Sequence, residues 1–330
     1  MIVLVLTEAE VRAVLDLDAV RIAVAGAMRE VTAGRTSMPA RIAAVVPGLG
    51  LLAAMPAYLP GDGGGLAAKL VSLFPGNAGT ELPTHQAVIM VFDPDTGRPV
   101  ALLDGTAITT ARTAAGSALS ADLLARPDAV TLAILGTGVQ ARAHAEALVR
   151  VRPIERIRVA GRDRDKVSSL AAELRAGLAV EVDAADSYAE ACAGADIVCA
   201  ATHSPIPVVH RQFLGPGVHV TSVGFNTAGR EVDSATVADA MVVVESRHAA
   251  LAPPPAGSND LRVPIEEGLI SAEHVHAELG ELVGGIRPGR TSGDQITLYK
   301  SVGIAAQDLA ATTLVLTAAR AAGLGIDVAL

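Results

Sequence analysis

Val130-Thr131-Leu132-Ala133-Ile134-Leu135-Gly136-Thr137-Gly138-Val139-Gln140-Ala141 decides how this chain is read. The apolar run ending at Leu135 reads as a buried strand, and Val139 to Val149 reads as a helix. Between them lies G-x-G-x-x-A, a weak signal alone. The preceding strand, the following helix and a second strand at Ile157 to Ala160 make it a strong one. Gly136 permits a tight turn, Gly138 lets the backbone approach a pyrophosphate, and Ala141 lets the helix pack close to the strand. The helix N-terminus then faces the phosphate charge. A glycine turn that serves packing only is the alternative.

Downstream the alternation continues, with a helix at Lys166 to Arg175 and strands at Val180 to Val182, Asp196 to Ala200, Val218 to Val223 and Met241 to Val244. Six strands with helical or connecting segments between them predict a parallel doubly wound sheet, the Rossmann arrangement. In NAD binders an acidic residue near the end of the second strand accepts the ribose 2'-hydroxyl. Here the strand runs into Gly161-Arg162-Asp163-Arg164, with glycine at the expected acidic position. Arg162 and Arg164 could pair with a 2'-phosphate, and Asp163 could still serve NAD. The rule favours NADP(H) over NAD(H).

Upstream the pattern differs. Arg41 to Val46, Leu51 to Ala54, Lys69 to Phe74 and Ala87 to Phe92 are short apolar runs, and Asp93-Pro94-Asp95-Thr96-Gly97 is a hairpin turn before Val100 to Leu103. This predicts an antiparallel meander. Thr106 to Leu124 reads as an alanine-rich helix closed by Arg126-Pro127. Ser301 to Ala322 reads as another, returning to the first domain. The expected architecture is α/β: a Rossmann domain over residues 119–303, and an α+β substrate-binding and dimerisation domain made of residues 1–118 and 304–330.

Composition narrows the function. Hydrophobic residues form 51% of the 330, a figure inflated by alanine. The longest uncharged run, Ile42 to Gly61, is broken by Pro47, Pro56 and Pro60 and reads as two buried strands around a turn rather than a membrane span. With no basic leader, the chain is expected in the cytoplasm. A net charge of -9 and 2% aromatic residues argue against nucleic acid. Cys192 and Cys199 read as buried thiols, and no histidine pattern predicts a metal site. Apolar Val88, Met90 and Val100 on an exposed sheet face predict a homodimer.

Three lysines occur, and Lys69 opens an apolar strand, where a cation is costly unless an anion, such as a substrate carboxylate, or another polar group compensates it. Arg112 is the only charge between Asp104 and Asp122, and Arg41 follows Met38-Pro39. Each alone could equally be an exposed cation. His85 reads as a structural hydrogen-bonder.

Taken in order, Arg41, Ala67-Ala68-Lys69-Leu70-Val71-Ser72-Leu73-Phe74-Pro75-Gly76-Asn77, Pro83-Thr84-His85-Gln86-Ala87, Phe92 to Gly97, Arg112-Thr113-Ala114-Ala115, the glycine motif and Ser301-Val302-Gly303 resemble the ornithine cyclodeaminase/mu-crystallin family over nearly the whole chain. The resemblance implies that Arg41, Lys69 and Arg112 hold a substrate carboxylate and that Val302 lies beside the substrate. It also implies that Thr84, Arg112, Val139, Gln140, Thr202, Val223 and Ser301 lie along the cofactor. One departure stands out: where cyclodeaminases carry a catalytic aspartate, this chain has Asn226, and an amide cannot exchange a proton near neutral pH. The expected activity is therefore reduction of a small cyclic imino acid such as pyrroline-2-carboxylate, or reductive amination of a 2-oxo acid, with the proton drawn from water or Lys69. Ornithine cyclodeamination and a mu-crystallin-like NADPH-bound binding protein are the alternatives.

Overall fold

In the computed structural model the chain divides into two units, Met1–Arg112 with Ile304–Leu330, and Thr113–Gly303. The structure describes residues 1–224, 226, 229–253 and 256–329. The first unit opens with β1 (Ile2–Leu6), α1 (Glu8–Val14) and α2 (Leu17–Thr32). It continues through β2 (Ile42–Val46), β3 (Gly50–Leu59), β4 (Gly65–Leu73), β5 (His85–Phe92) and β6 (Pro99–Asp104) into α3 (Gly105–Leu124). The second unit begins β7 (Thr131–Leu135), α4 (Val139–Leu148), β8 (Arg156–Ala160), α5 (Arg164–Gly177), β9 (Glu181–Ala184), α6 (Tyr188–Cys192) and β10 (Ile197–Ala200). It goes on through β11 (His219–Ser222), α7 (Ser234–Asp239), β12 (Met241–Val244), α8 (Arg247–Ala250), α9 (Asn259–Glu266), β13 (Val275–Glu278), α10 (Leu279–Val283) and β14 (Thr297–Lys300). The chain then returns to the first unit as α11 (Ala305–Ala321) and β15 (Ile326–Ala329).

The first unit holds a seven-stranded sheet in the order β15-β1-β6-β5-β4-β3-β2. Strands β2 to β6 form the expected antiparallel meander, while β1 runs parallel to β6. Period two sorts the side chains of β4: Ala67, Lys69 and Val71 are buried, and Leu70 between them is exposed. Helix α11 packs on β3, β4 and α2. Its small residues Ala306, Ala310 and Ala311 are buried and permit a close approach. The expectation of two buried strands in Ile42 to Gly61 is corrected. Strand β2 is an edge strand paired only with β3, so Ile42, Val45 and Val46 are exposed. On the outer face Leu70 and Val88 stand opposite each other, both exposed, while Met90 and Val100 are only half-buried.

The second unit holds eight strands in the order β13-β12-β14-β11-β10-β7-β8-β9, and each neighbouring pair is parallel. Both faces of β10 are covered: Ile197 and Cys199 join the apolar cluster around Leu132, Ile157 and Val182, while Val198 and Ala200 join that around Leu135, Val220 and Leu298. This double burial is why β10 reads as an unbroken apolar run. The six strands expected from sequence become eight by the addition of β13 and β14. Both are four residues long and carry a charge at their C-terminal end, too short to show a period. Strand β14 inserts between β11 and β12. No helix among the described residues is long and apolar enough to cross a membrane.

Candidate active site

In the second unit the turn after β7 is shaped by what surrounds it. Gly136 has φ 123°, and a Cβ there would lie 2.4 Å from the carbonyl oxygen of Ala201. Only glycine meets both constraints. Gly138 is the N-cap of α4, with no side-chain cap bond and open space where its Cβ would be. An uncapped N-terminus beside open space is suited to bind an anion. Val139 is exposed at the first helical position, and Gln140 Oε1 is buried without a hydrogen-bond partner among the described residues. Ala141 is fully buried. These features fit the pyrophosphate of a dinucleotide.

The cofactor-selecting segment is sorted more finely than the sequence allowed. A Cβ at Gly161 would lie 2.9 Å from Thr137 Cγ2 and 3.1 Å from Val167 Cγ2, so Thr137 of the glycine motif crowds the place where an acid would stand. Asp163 caps α5, accepting from the backbone N–H groups of Asp165 and Lys166 at 3.1 Å each. Arg164 pairs with Asp186. Arg162 is exposed and acts electrostatically on Tyr188, whose phenol is pushed up by burial against the pull of Arg162.

Elsewhere in this unit the expected residues are held by buried acids. Thr202 donates to Glu231 Oε1 through its N–H at 2.5 Å and its hydroxyl at 2.7 Å. Glu231 Oε2 accepts from Ser222 Oγ at 2.8 Å and Gly224 N at 2.7 Å. Ser301 Oγ, Val302 N and Gly303 N donate to Glu245 at 2.5, 3.2 and 3.1 Å. Lys300 donates to Ser222 Oγ and the Gly224 carbonyl, each at 2.9 Å, and pairs with Asp260 at 3.0 Å. Val223 N donates to the Ala200 carbonyl at 3.0 Å. Asn226 Nδ2 donates to the His203 carbonyl at 3.1 Å, and its own carbonyl accepts from Asn259 Nδ2 at 3.3 Å. Phe225, Thr227 and Ala228 beside it lie outside the described residues. Glu231, Glu245, Asp260 and Lys300 were missed in the sequence. Lys300 gave one signal, being one of only three lysines in the chain.

In the first unit, β4 and α3 bring Lys69 and Arg112 together on one acid. Lys69 Nζ lies 2.6 Å from Asp308 Oδ2, and Arg112 Nε donates to Asp308 Oδ1 at 2.8 Å. All three side chains are at least nine-tenths buried. Lys69 Nζ also donates to Thr109 Oγ1 at 3.4 Å, and Arg112 Nη1 to Gln307 Oε1 at 3.4 Å. Burial lowers Lys69 from the ordinary lysine range to about 7, opposed by Asp308 and assisted by Arg112 and Arg41. For Asp308 burial works upward, but Arg112 and Lys69 outweigh it and hold the carboxyl below its usual range. His85 is lowered to about 4, first by burial and then by Lys69 and Arg112, so the imidazole is neutral. Arg41 is half-buried just before β2, and the carbonyl of Thr84, just before β5, accepts from Phe74 N at 2.9 Å. Asp308 was missed in the sequence, although it is the only charge between Lys300 and Arg320.

Residues 2–323 match the model of the ornithine cyclodeaminase/mu-crystallin family. The chain is 38% identical over 246 residues to a Delta(1)-pyrroline-2-carboxylate reductase of Bacillus cereus, covering 74% of each chain. It is 35% identical over 267 residues to the ketimine reductase mu-crystallin of Mus musculus, covering 81% of this chain and 80% of that one. Among solved structures, Thermococcus litoralis Delta(1)-pyrroline-2-carboxylate reductase in complex with NADH and L-proline superposes with a TM-score of 0.94 at 36% identity, covering 98% of this chain and all of that one. The chain belongs to the ornithine cyclodeaminase/mu-crystallin family.

Proposed function

We propose that this chain is a cytoplasmic oxidoreductase of C–N bonds that reduces a small cyclic imino acid such as pyrroline-2-carboxylate, or aminates a 2-oxo acid reductively. The observation that carries the reading is the cation cluster of the first unit. Lys69 and Arg112, both buried, share one carboxylate, Asp308, and Arg41 adds its positive charge to the surroundings of Lys69. Two buried cations on one acid favour a second anion, and the carboxylate of an imino or oxo acid supplies it. The names of the relatives support the same class.

Arg41 and Arg112 bind the substrate carboxylate together with Lys69, and Val302 lies beside the substrate. Gly136 and Gly138 receive the pyrophosphate of a nicotinamide cofactor, with Thr84, Arg112, Val139, Gln140, Thr202, Val223 and Ser301 along its length. When bound in reduced form, that cofactor supplies a hydride to the imine carbon. Lys69 delivers the proton to the imine nitrogen: its lowered pKa leaves both protonation states accessible near neutral pH. NADP(H) is favoured over NAD(H), because the acidic position is filled by Gly161 against Thr137 and Arg162 is exposed to meet a 2'-phosphate. Asn226 offers an amide where cyclodeamination needs an acid and base.

A homodimer follows from the first unit, whose outer sheet face exposes Leu52, Leu70 and Val88. A stable monomer in light scattering at micromolar concentration contradicts it.

The assay supplies pyrroline-2-carboxylate with NADPH and, separately, ornithine with NAD. The expected result is imine-dependent NADPH oxidation with little product from ornithine. Efficient release of proline and ammonia from ornithine, with no imine-dependent oxidation, overturns the reading.

A further inference from the structure

We propose that Asp308 is the positioning residue of the first unit: its two carboxylate oxygens separate the cations, fixing Arg112 for the substrate carboxylate and holding Lys69 as an ammonium aimed at the imine nitrogen. This rests on the imine-reductase reading above. A single acid does both because Oδ1 takes Arg112 Nε at 2.8 Å and Oδ2 takes Lys69 Nζ at 2.6 Å.

The acid is itself fixed by the start of α11. Gln307 Oε1 accepts from the Ile304 N–H at 3.2 Å, closing the first turn of the helix, and also from Arg112 at 3.4 Å. Thr312 Oγ1 donates to the Asp308 carbonyl at 2.7 Å one turn later. Gln307 is fully buried, and its Nε2 has no hydrogen-bond partner among the described residues. A buried amide N–H without an acceptor is costly, and an anionic ligand beside Arg112 offers one.

Lys69 is likewise incompletely used. An ammonium carries three donors. Among the described residues one meets Asp308 and one meets Thr109 Oγ1, whose own hydroxyl donates to the Gly105 carbonyl at 2.7 Å. The third is available to a substrate. The charged groups acting on Lys69 are Asp308, which favours the ammonium, and Arg112 and Arg41, which disfavour it. His85 beside them is neutral. Among the described residues Asp308 is thus the carboxylate that favours the Lys69 ammonium against burial and two guanidinium groups. In the step it supports, the imine carbon accepts hydride from reduced nicotinamide and the C=N π pair becomes a nitrogen lone pair. The Lys69 Nζ–H bond breaks, the new N–H bond forms, and the neutral Lys69 regains a proton from water.

Asp308→Asn and Asp308→Glu test this by two readouts. The first is kcat/KM for pyrroline-2-carboxylate with NADPH against pH. In Asp308→Asn the descending limb moves to lower pH by about 1 to 3 units, the usual effect of one close opposite charge. The substrate's own titration is common to both enzymes and does not move. The second readout needs no turnover. With three lysines in the chain, protein labelled with 13C at lysine Cε gives three side-chain NMR signals, and Lys69→Met identifies the one from Lys69. In Asp308→Asn that signal titrates at lower pH. Asp308→Glu keeps the charge but displaces it by a methylene, so the limb stays in place while kcat falls.

An unmoved limb and an unmoved Lys69 signal in Asp308→Asn overturn the role of Asp308. If that variant does not fold, wild-type kcat in Asp308→Glu overturns it instead. A wild-type protein that reduces no imine overturns the function and the destination of the proton, whatever the Lys69 signal does.

Discussion

Two lysines are buried in this protein, one in each unit, and they differ in how fully they are satisfied. Lys300 spends its three donors on Ser222 Oγ, the Gly224 carbonyl and Asp260. Around it, Asp260 Oδ1 accepts from the N–H groups of Glu231 and Val232 at 2.8 Å each, and Glu231 holds Gly224 and Thr202. Lys69 has two partners among the described residues, in a cluster where cations outnumber acids. A buried charge whose hydrogen bonds are complete braces the fold, and one left short of partners beside surplus charge of its own sign is prepared for a ligand. The count of donors used, rather than burial, separates the two roles.

Substituting each lysine by methionine tests that difference most strongly. Lys69→Met is expected to lower kcat/KM for imine reduction by about 10²- to 10⁴-fold, the scale of a lost acid catalyst, with cofactor binding retained. Asp308 keeps Arg112 in that variant, so the fold is disturbed less. Lys300→Met leaves Asp260 buried without its cation and should cost about 3 to 5 kcal/mol of stability in denaturant titration. Equal stability losses in the two variants, with unaltered turnover in Lys69→Met, would remove the distinction between them.

Histidines extend the contrast. In the second unit His144 is bonded at Nδ1 to the Gln140 carbonyl and at Nε2 to Ser117 Oγ, and His219 is bonded to Thr297 Oγ1 and Ser120 Oγ. Burial lowers them from 6.5 to about 4 and about 3. A folded-state pKa below the unfolded value means that stability is complete above about 6.5 and is lost as acid protonates the unfolded chain first. Stability should therefore decline from pH 6.5 toward 4 by about 1.4 kcal/mol per pH unit for each histidine. A flat unfolding free energy through that window would show charged imidazoles tolerated in the core.

The smallest expected effect concerns Arg162. Asp163 caps a helix and Arg164 pairs with Asp186 at the surface, and Arg162 is the residue proposed to meet a 2'-phosphate. Arg162→Ala should weaken NADPH by about 1 to 3 kcal/mol, the scale of one charge-assisted hydrogen bond, and leave NADH nearly unchanged. Fluorescence titration with both cofactors reads this directly, and equal losses would refute the assignment.

Much of the second unit was legible because its signals are local. Gly136 and Gly138 stand between a strand and a helix within a dozen residues, and the covered strands β10 and β12 announce themselves by unbroken apolar runs. Strand β14 was not legible, since Thr297-Leu298-Tyr299-Lys300 is no unbroken apolar run and its place between β11 and β12 depends on crossovers elsewhere in the chain. The exposure of β2 was hidden for a related reason. An apolar run looks the same whether another strand or helix covers it or it forms an edge, and β2 is an edge.

The sequence by itself determined the doubly wound sheet, the meander, the glycine turn and the oddity of a lysine in an apolar strand, because each is written within one stretch of chain. Tertiary structure alone decided which groups meet. Asp308 lies more than two hundred residues beyond Lys69 and nearly as far beyond Arg112, in a helix whose alanines say nothing of a partner. The packing of α11 on β4 brings its carboxylate to Lys69, and the fold places Arg112 of α3 on the same acid, since a buried ion pair is a property of distance and desolvation, and sequence spacing encodes neither.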